Sequence, residues 1–249
     1  MMINALQTTE LSASVINKDL QTYVALINRN IKPPVPLEVS QVTIRAMYIV
    51  SDAINSYHGR FDRAELPSIA KLFIDSPVLI GHDKSGLPVA RNFWAETVEK
   101  DDRLWVKCYF YWLKDVEGAD RLRLNIDSGI YKECSVSFTY AMPECSACGK
   151  DIRFCGHQVG NGVFFYYRGV DKILETSLVY RGSVPDTSIT NQLDFDTKKE
   201  TSLNNTQNRF VYTLAPNGNF CHLVGKSNNP ERFRARLNAI EFLLVKERQ

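Results

Sequence analysis

The alternation of hydrophobic and polar positions predicts strands along most of the chain. From Val42 to Val50, apolar residues occupy every second position, which is the pattern of a strand with one buried face. Two later segments of this kind flank an acidic turn at 99–102 and predict a hairpin. The predicted strands are 39–50, 77–83, 90–98, 104–111, 131–140, 163–168 and 173–180.

Other segments carry apolar residues at helical spacing and predict amphipathic helices. Gly129 directly follows one of them, as a glycine at a helix C-terminus would. The prolines of 31–36 stop the first helix, because proline fixes φ and cannot continue a helix. The predicted helices are 63–73, 115–128 and 232–246, and residues 1–31 carry a weaker helical pattern formed by Leu20, Val24, Leu26 and Ile27.

The order of these elements predicts an α+β fold that is rich in β-structure, with an antiparallel barrel or sheet as its core and a few flanking helices. We expect an N-terminal arm at 1–36 and a central domain at 37–187, with a cysteine-rich insertion at 143–161. The polar segment 188–208 predicts a linker. A hairpin and a helix are expected in the C-terminal segment, 209–249.

Composition narrows the class of protein. The 249 residues are 44% hydrophobic and 23% charged, as in a globular protein with a sizeable core. The net charge of +2 gives no general attraction to nucleic acid or to acidic membranes. No apolar run approaches the ~20 residues of a membrane span, and the N-terminus lacks a signal-peptide pattern. We therefore expect the six cysteines to be thiols or metal ligands, not disulfides.

The cysteine-rich insertion has the spacing of a metal site. Cys145 and Cys148 are separated by two residues, and Cys155 and His157 by one. Gly149 permits the tight turn that would bring the first pair onto one ion. Three cysteines and a histidine predict a closed, structural zinc knuckle with no open position for catalysis. Reduced thiols without a ligand are the alternative.

Three strands carry side chains that suit nucleophilic catalysis. His82 ends an apolar strand, and a histidine is a natural general base near neutral pH. Ser135 and Ser137 lie two apart in a strand and so share one face. Glu175 interrupts an apolar strand, where a buried carboxylate needs a partner. Each feature alone has an ordinary structural explanation: an exposed or structural histidine, a strand of small residues, and a carboxylate that faces solvent.

The order of these motifs resembles a known family. The stretches are PVLIGHD, the helix end IDSG, the strand YKECSVSF and the strand ILETSLVYRGSVP. Over about 39–187 they are similar to the tailed-phage prohead proteases, which are related to the herpesvirus capsid maturation proteases, the assemblins. The resemblance implies an assemblin-like fold.

The resemblance also implies a role for each residue. His82 matches the histidine of a motif resembling "LxxHD", Ser135 the nucleophile of a motif resembling "SxGF", and Glu175 the acid of a motif resembling "ExSLV". A second histidine takes the place of this acid in the herpesvirus relatives. Ser137 replaces the family's usual glycine, so it is the alternative nucleophile. Arg181 is a candidate for binding the oxyanion.

The implied activity is that of a serine endopeptidase that needs no cofactor for its chemistry. It would cleave the scaffold and major capsid proteins, and itself, inside the immature phage head in the host cytoplasm. The portal protein and a second copy of the chain are further expected partners, whereas a membrane or nucleic acid is not. An inactive structural or scaffold protein with the same fold is the alternative. A zinc-knuckle module that binds nucleic acid is disfavoured, because only Lys150 and Arg153 are basic near the knuckle.

Overall fold

The computed structural model describes residues 20–193 and the backbone of two strands at 211–214 and 221–224. The helices are α1 (20–31), α2 (Leu66–Leu72) and α3 (Ala119–Asp127), with a 3-10 turn at Val39–Gln41. The strands are β1 (Val42–Ser51), β2 (Gly59–Arg60), β3 (Pro77–Ile80), β4 (Ala90–Lys100), β5 (Arg103–Leu113), β6 (Glu133–Cys145), β7 (Phe165–Val179), β8 (Ser188–Thr190), β9 (Val211–Leu214) and β10 (Cys221–Val224). Two compact units divide the chain, Met1–Leu193 and Asp194–Gln249.

One curled, mixed sheet forms the framework of the first unit. Its strand order is β2-β7-β3-β4-β5-β1-β8, and β6 pairs with β7. Near its start β6 also approaches β8, where Ile189 N donates to Lys132 O at 3.1 Å, so the sheet curls into a half-barrel. The predicted β-rich α+β class is confirmed at this level.

The sequence pattern predicts an antiparallel sheet, but the observed sheet is mixed. β7 pairs in parallel with β2 and with β3, whereas the remaining pairs are antiparallel. A parallel pair needs a long crossover connection. Here the chain passes through β4, β5, α3 and β6 between β3 and β7. The alternation of apolar and polar residues within one strand does not indicate which distant strand it pairs with, or in which direction.

Helices α2 and α3 cover the core on one side of the sheet. Their buried residues recur every three or four positions: Leu66, Ile69 and Ala70 in α2, and Ala119, Leu122 and Ile126 in α3. They join Phe73, Val78, Phe110, Trp112, Cys134 and Leu178 in one hydrophobic cluster. Removing such surface from water stabilises the fold by about 1.5–3 kcal/mol per large side chain.

Helix α1 packs on other aromatic residues of the sheet. The Tyr23 ring stacks on Tyr109 and meets Phe93 edge-on. At the end of α1, the side-chain amide of Asn30 donates to Phe93 O at 2.9 Å. Helix α1 lies within the weak helical pattern predicted over 1–31, and this part of the arm is bound to the sheet.

Strands β6 and β7 form one long antiparallel hairpin, longer than the separate predicted strands. Polar residues around Gly169 interrupt the alternating pattern, but register shifts and the positive φ of Gly169 (66°) let β7 continue. The strand pair therefore reaches Cys145, so that the predicted insertion is the tip of this hairpin.

Two regions of the predicted C-terminal organisation are described in part. Residues 188–190, the start of the expected linker, pair with β1 as β8. Strands β9 and β10 pair with each other in antiparallel fashion, as the expected hairpin requires. Residues 194–208 of the linker, the hairpin turn and the expected helix at 232–246 lie outside the described residues.

Candidate functional site

A left-handed turn after β3 carries His82 over the neighbouring strand β7. Gly81 and His82 have φ angles of 64° and 60°, and a non-glycine residue takes this conformation only when its surroundings hold it. Gly81 N donates to Leu178 O at 2.8 Å, and His82 N donates to Ser177 Oγ at 2.9 Å. Two hydrogen bonds to β7 therefore fix the backbone of the histidine.

The register of the β6–β7 hairpin places four polar residues on one face. Ser135 lies opposite Ser177, and Ser137 lies opposite Glu175. Because successive side chains alternate between faces, residues two apart and their cross-strand partners share a face. The shared face that was predicted for Ser135 and Ser137 is therefore joined by Glu175 and Ser177.

His82, Glu175 and Ser137 meet on this face. His82 Nδ1 lies 2.6 Å from Glu175 Oε1, and the side-chain exposures of the two residues are 36% and 2%. Ser137 Oγ donates a short hydrogen bond to the same Oε1 and lies 3.4 Å from His82 Nδ1. The arrangement is a buried carboxylate that holds one nitrogen of an accessible imidazole.

The second carboxylate oxygen of Glu175 has no such support. Glu175 Oε2 is buried and has no hydrogen-bond partner among the described residues. Both donors to this carboxylate, the imidazole and the Ser137 hydroxyl, therefore converge on Oε1.

Ser135, the residue predicted to be the nucleophile, lies one cross-strand pair away from this contact. Within the described chain, the serine hydroxyl that contacts the His82 ring is that of Ser137. The structure thus places Ser135 on the same face as Ser137 and Glu175, opposite Ser177, without a direct bond to His82. The adjacent Cys134 is fully buried, and burial raises the pKa of its thiol, so it is an inert neighbour.

The loop after β7 packs closely beside Ser135. Gly182 N donates to Glu133 Oε2 at 2.7 Å. A Cβ on Gly182 would lie 2.6 Å from Cys134 O, so only glycine allows this approach. Arg181, the candidate for binding the oxyanion, is exposed at this loop.

The four predicted metal ligands also come together. Their ligand atoms, in Cys145, Cys148, Cys155 and His157, all lie within 4.8 Å of one another. Gly149 has the positive φ (71°) predicted for the turn, and Gly149 N donates to Cys145 O at 2.8 Å. A tetrahedral zinc ion with bonds of ~2.3 Å would separate two sulfurs by about 3.8 Å, so the cluster fits a metal ion after a small contraction.

The backbone of this turn points N–H groups at the first ligand. Burial opposes ionisation of the Cys145 thiol, but hydrogen bonds from the backbone N–H groups of Ala147 and Cys148 outweigh it and lower its pKa. The cluster lies at the hairpin tip, eight residues along β6 from Ser137. That is roughly 26 Å at ~3.3 Å per residue. More than half the length of β6 therefore separates Ser137 from the cluster.

Sequence reasoning missed Ser177, which is fully buried and accepts the hydrogen bond of His82 N. Its position two residues after Glu175 was the available signal, since that spacing puts both on one face. It also missed the polar contacts on the opposite side of β7. There, Asn92 Nδ2 donates to Thr176 Oγ1 and to Ser76 Oγ, each at 2.9 Å.

Comparisons of the chain with protein-family models, with curated proteins and with solved structures give no match. Among the described residues, no helix is long and apolar enough to cross a membrane. The function is therefore argued from the site and from the motif order.

Proposed function

We propose that the protein is a serine endopeptidase of the prohead-maturation type. The observation that supports this most directly is the contact between His82 Nδ1 and the buried Glu175 Oε1 on a face lined with serines. A base, a group that orients it and an adjacent hydroxyl are the parts that nucleophilic catalysis requires. The proposed family is based on the order of the motifs along the chain.

His82 acts as the general base through Nε2, because Nδ1–H donates to Glu175. Nε2 takes the hydroxyl proton of Ser135 as Oγ attacks the scissile carbonyl carbon. The tetrahedral intermediate collapses when Nε2–H protonates the leaving amine, which leaves an acyl-enzyme. Water then repeats the sequence and releases the acid. Backbone N–H groups or Arg181 would stabilise the oxyanion, at ~3 kcal/mol per donor.

We assign the nucleophile to Ser135. Ser137 contacts Nδ1, the nitrogen already engaged by Glu175, and its hydrogen is directed to Oε1. Ser135 lies on the same face and is left to react with Nε2. It is also the serine that matches the family motif.

The proposed substrates are the scaffold and major capsid proteins of a phage head, together with the chain itself. The portal protein and a second copy of the chain are proposed as further partners, and the immature head within the host cell as the location. These assignments are supported by the motif resemblance over about 39–187.

The test compares the chain with Ser135→Ala during co-expression with a candidate scaffold protein. We expect trimming in the wild type that is absent in the variant, read as intact masses by mass spectrometry. Ser128→Ala, an exposed serine at the end of α3, is the matched control and should trim normally. Trimming by Ser135→Ala would exclude that serine as the nucleophile.

An inactive structural protein of the phage head is the second candidate. It is favoured by the separation between Ser135 and the His82 ring contacts. It predicts intact masses for every chain, with no scaffold cleavage. A serine-directed phosphonate reagent separates the two, since it would leave an inactive protein unlabelled.

We further propose that the four-ligand cluster holds a structural zinc ion. The ion would cross-link the hairpin tip and would take no part in catalysis. The test is zinc content per chain. We expect one ion in the wild type and a large loss in His157→Asn. His58→Asn is the control, because His58 is another exposed histidine and lies outside the cluster. Equal zinc content in both variants would contradict the assignment.

A further inference from the structure

Ser137 occupies the position at which the resembled motif has glycine, and its hydroxyl points at the carboxylate behind the histidine. We propose that Ser137 is a positioning residue that fixes the Glu175 carboxylate on His82 Nδ1. Its consequence for cleavage rests on the proposed function, whereas the contact itself does not.

The geometry gives Ser137 this role and argues against its being the nucleophile. Its Oγ donates to Glu175 Oε1, and the same oxygen lies 2.6 Å from His82 Nδ1. Nδ1 carries the hydrogen of that contact, so it has no lone pair for the Ser137 proton, although the two atoms are 3.4 Å apart. Ser137 therefore contacts the orienting end of the imidazole.

The carboxylate needs such a second contact. The terminal torsion of a glutamate is broad and has no sharp preference of its own. Glu175 Oε2 has no hydrogen-bond partner among the described residues, so no hydrogen bond on that side holds the carboxylate in place. Ser137 lies directly opposite Glu175 in the strand register, so the two side chains project from paired positions of β6 and β7. The hydroxyl thus holds Oε1 towards Nδ1.

The first readout is spectroscopic and needs no substrate. In protein labelled with ¹⁵N-histidine, we expect a low-field proton signal from His82 Nδ1–H. It is assigned by its loss in His82→Asn, because asparagine tolerates the left-handed backbone of this position. Ser137→Ala should broaden this signal, since the carboxylate loses the hydroxyl hydrogen bond that fixes Oε1 towards Nδ1. Ser137→Thr should restore it, because threonine keeps the hydroxyl and suits a strand.

Thr139→Ala is the matched control. Thr139 lies two residues further along β6 and also donates a short hydrogen bond to a carboxylate, that of Asp171, at an exposed site. Its removal should leave the His82 signal unchanged. An unchanged signal in Ser137→Ala, or no recovery in Ser137→Thr, would overturn the proposal. Circular dichroism checks the fold, and Ser137→Cys replaces the alanine variant if that variant folds poorly.

The second readout is cleavage of the scaffold substrate. We expect Ser137→Ala to lower kcat roughly tenfold with KM unchanged, because orientation of the base matters in the transition state. Peptide mapping after phosphonate labelling should find the adduct on Ser135. An adduct on Ser137 would overturn the positioning role while keeping the protease. If no chain cleaves or labels, the proposed function fails, and the histidine signal still decides the role of Ser137.

Discussion

Burying a charged carboxylate costs several kcal/mol unless hydrogen-bond donors compensate. Glu175 meets this cost with two donors on one oxygen, the imidazole of His82 and the hydroxyl of Ser137. A substitution that removes one donor leaves the group buried with less compensation, so stability and orientation are coupled here. Fold checks are therefore part of every test of these three residues.

Gly59 illustrates a residue whose requirement is purely steric. It lies opposite Phe165 in the β2–β7 pair, and an added Cβ would be 2.2 Å from Tyr167 Oη. Tyr167 is held in place, because its hydroxyl accepts a hydrogen bond from Asn55 Nδ2 at 2.8 Å.

We predict that Gly59→Ala lowers the free energy of unfolding by about 1–3 kcal/mol, the usual cost of overpacking. Urea denaturation measures the change. Gly86→Ala is the control, because a Cβ there would have open space, and its stability should stay near that of the wild type. A Gly59→Ala curve that overlays the control would show that Tyr167 moves aside freely.

For single residues, the sequence identified the candidate side chains but not their contacts with one another. Strand spacing put Ser135 and Ser137 on one face, whereas His82 and Glu175 were singled out as polar residues in apolar strands. Their mutual distances, and the demand for glycine at position 59, depend on pairings between distant segments. The periodicity of a single strand does not indicate such pairings, so the contact between Ser137 and Glu175 could not be predicted.

At the scale of elements, Arg168 fastens the β6–β7 hairpin to the segment that leads into α2. From β7 its guanidinium contacts Asp62, Glu65 at 2.9 Å and Glu144 at 3.1 Å. The hydrogen bond from Arg168 holds the pKa of Asp62 below its ordinary value, assisted by the Ala64 N–H. Three carboxylates on one cation make this tether sensitive to acid.

The direction of the pH effect follows from the lowered pKa of Asp62. Its stabilising contribution is complete above the ordinary carboxyl pKa and is lost as the pH falls through the folded-state value. We predict that the wild type loses more free energy of unfolding than Asp62→Asn between about pH 5 and about pH 2. Thermal melts across this window measure the difference. Asp101→Asn, at an exposed turn, should behave like the wild type, and parallel curves for all three would contradict the prediction.

Long alternating strands such as β1, β4 and β5 were predicted close to their true positions, because their pattern is local. The two- and three-residue strands β2 and β8 were not, since such short segments carry no periodic signal. The predicted break near Gly169 was wrong for a different reason. A bulge absorbs the residues that interrupt the pattern, and only the partner strand reveals this.

At the scale of the whole molecule, helix α1 forms part of the core of the first compact unit. Helix α1 buries Tyr23, Val24, Leu26 and Ile27 to 6% exposure or less. The division at Leu193 places the following segment in a second unit. The expected N-terminal arm, 1–36, therefore includes a helix whose buried side chains belong to the core, which the sequence did not predict.

We predict opposite outcomes for two truncations. A chain that begins at residue 32 should unfold at a much lower temperature, because four buried side chains together contribute roughly 5 kcal/mol or more. A chain that ends at Leu193 should keep the melting transition of this unit. Near-ultraviolet circular dichroism during heating measures both. A stable chain without α1 would show that the helix adds little to the sheet.

The parallel pairing of β7 with β3 also sets a time order for the site. His82 and Glu175 are 93 residues apart, and β7 separates the histidine from the serine strand. At a synthesis rate of about 5–20 residues per second, several seconds pass between the emergence of the histidine and that of its carboxylate. The nascent polypeptide thus carries the histidine and both serines before Glu175 exists, so the proposed catalytic group cannot assemble until the described sheet is nearly complete.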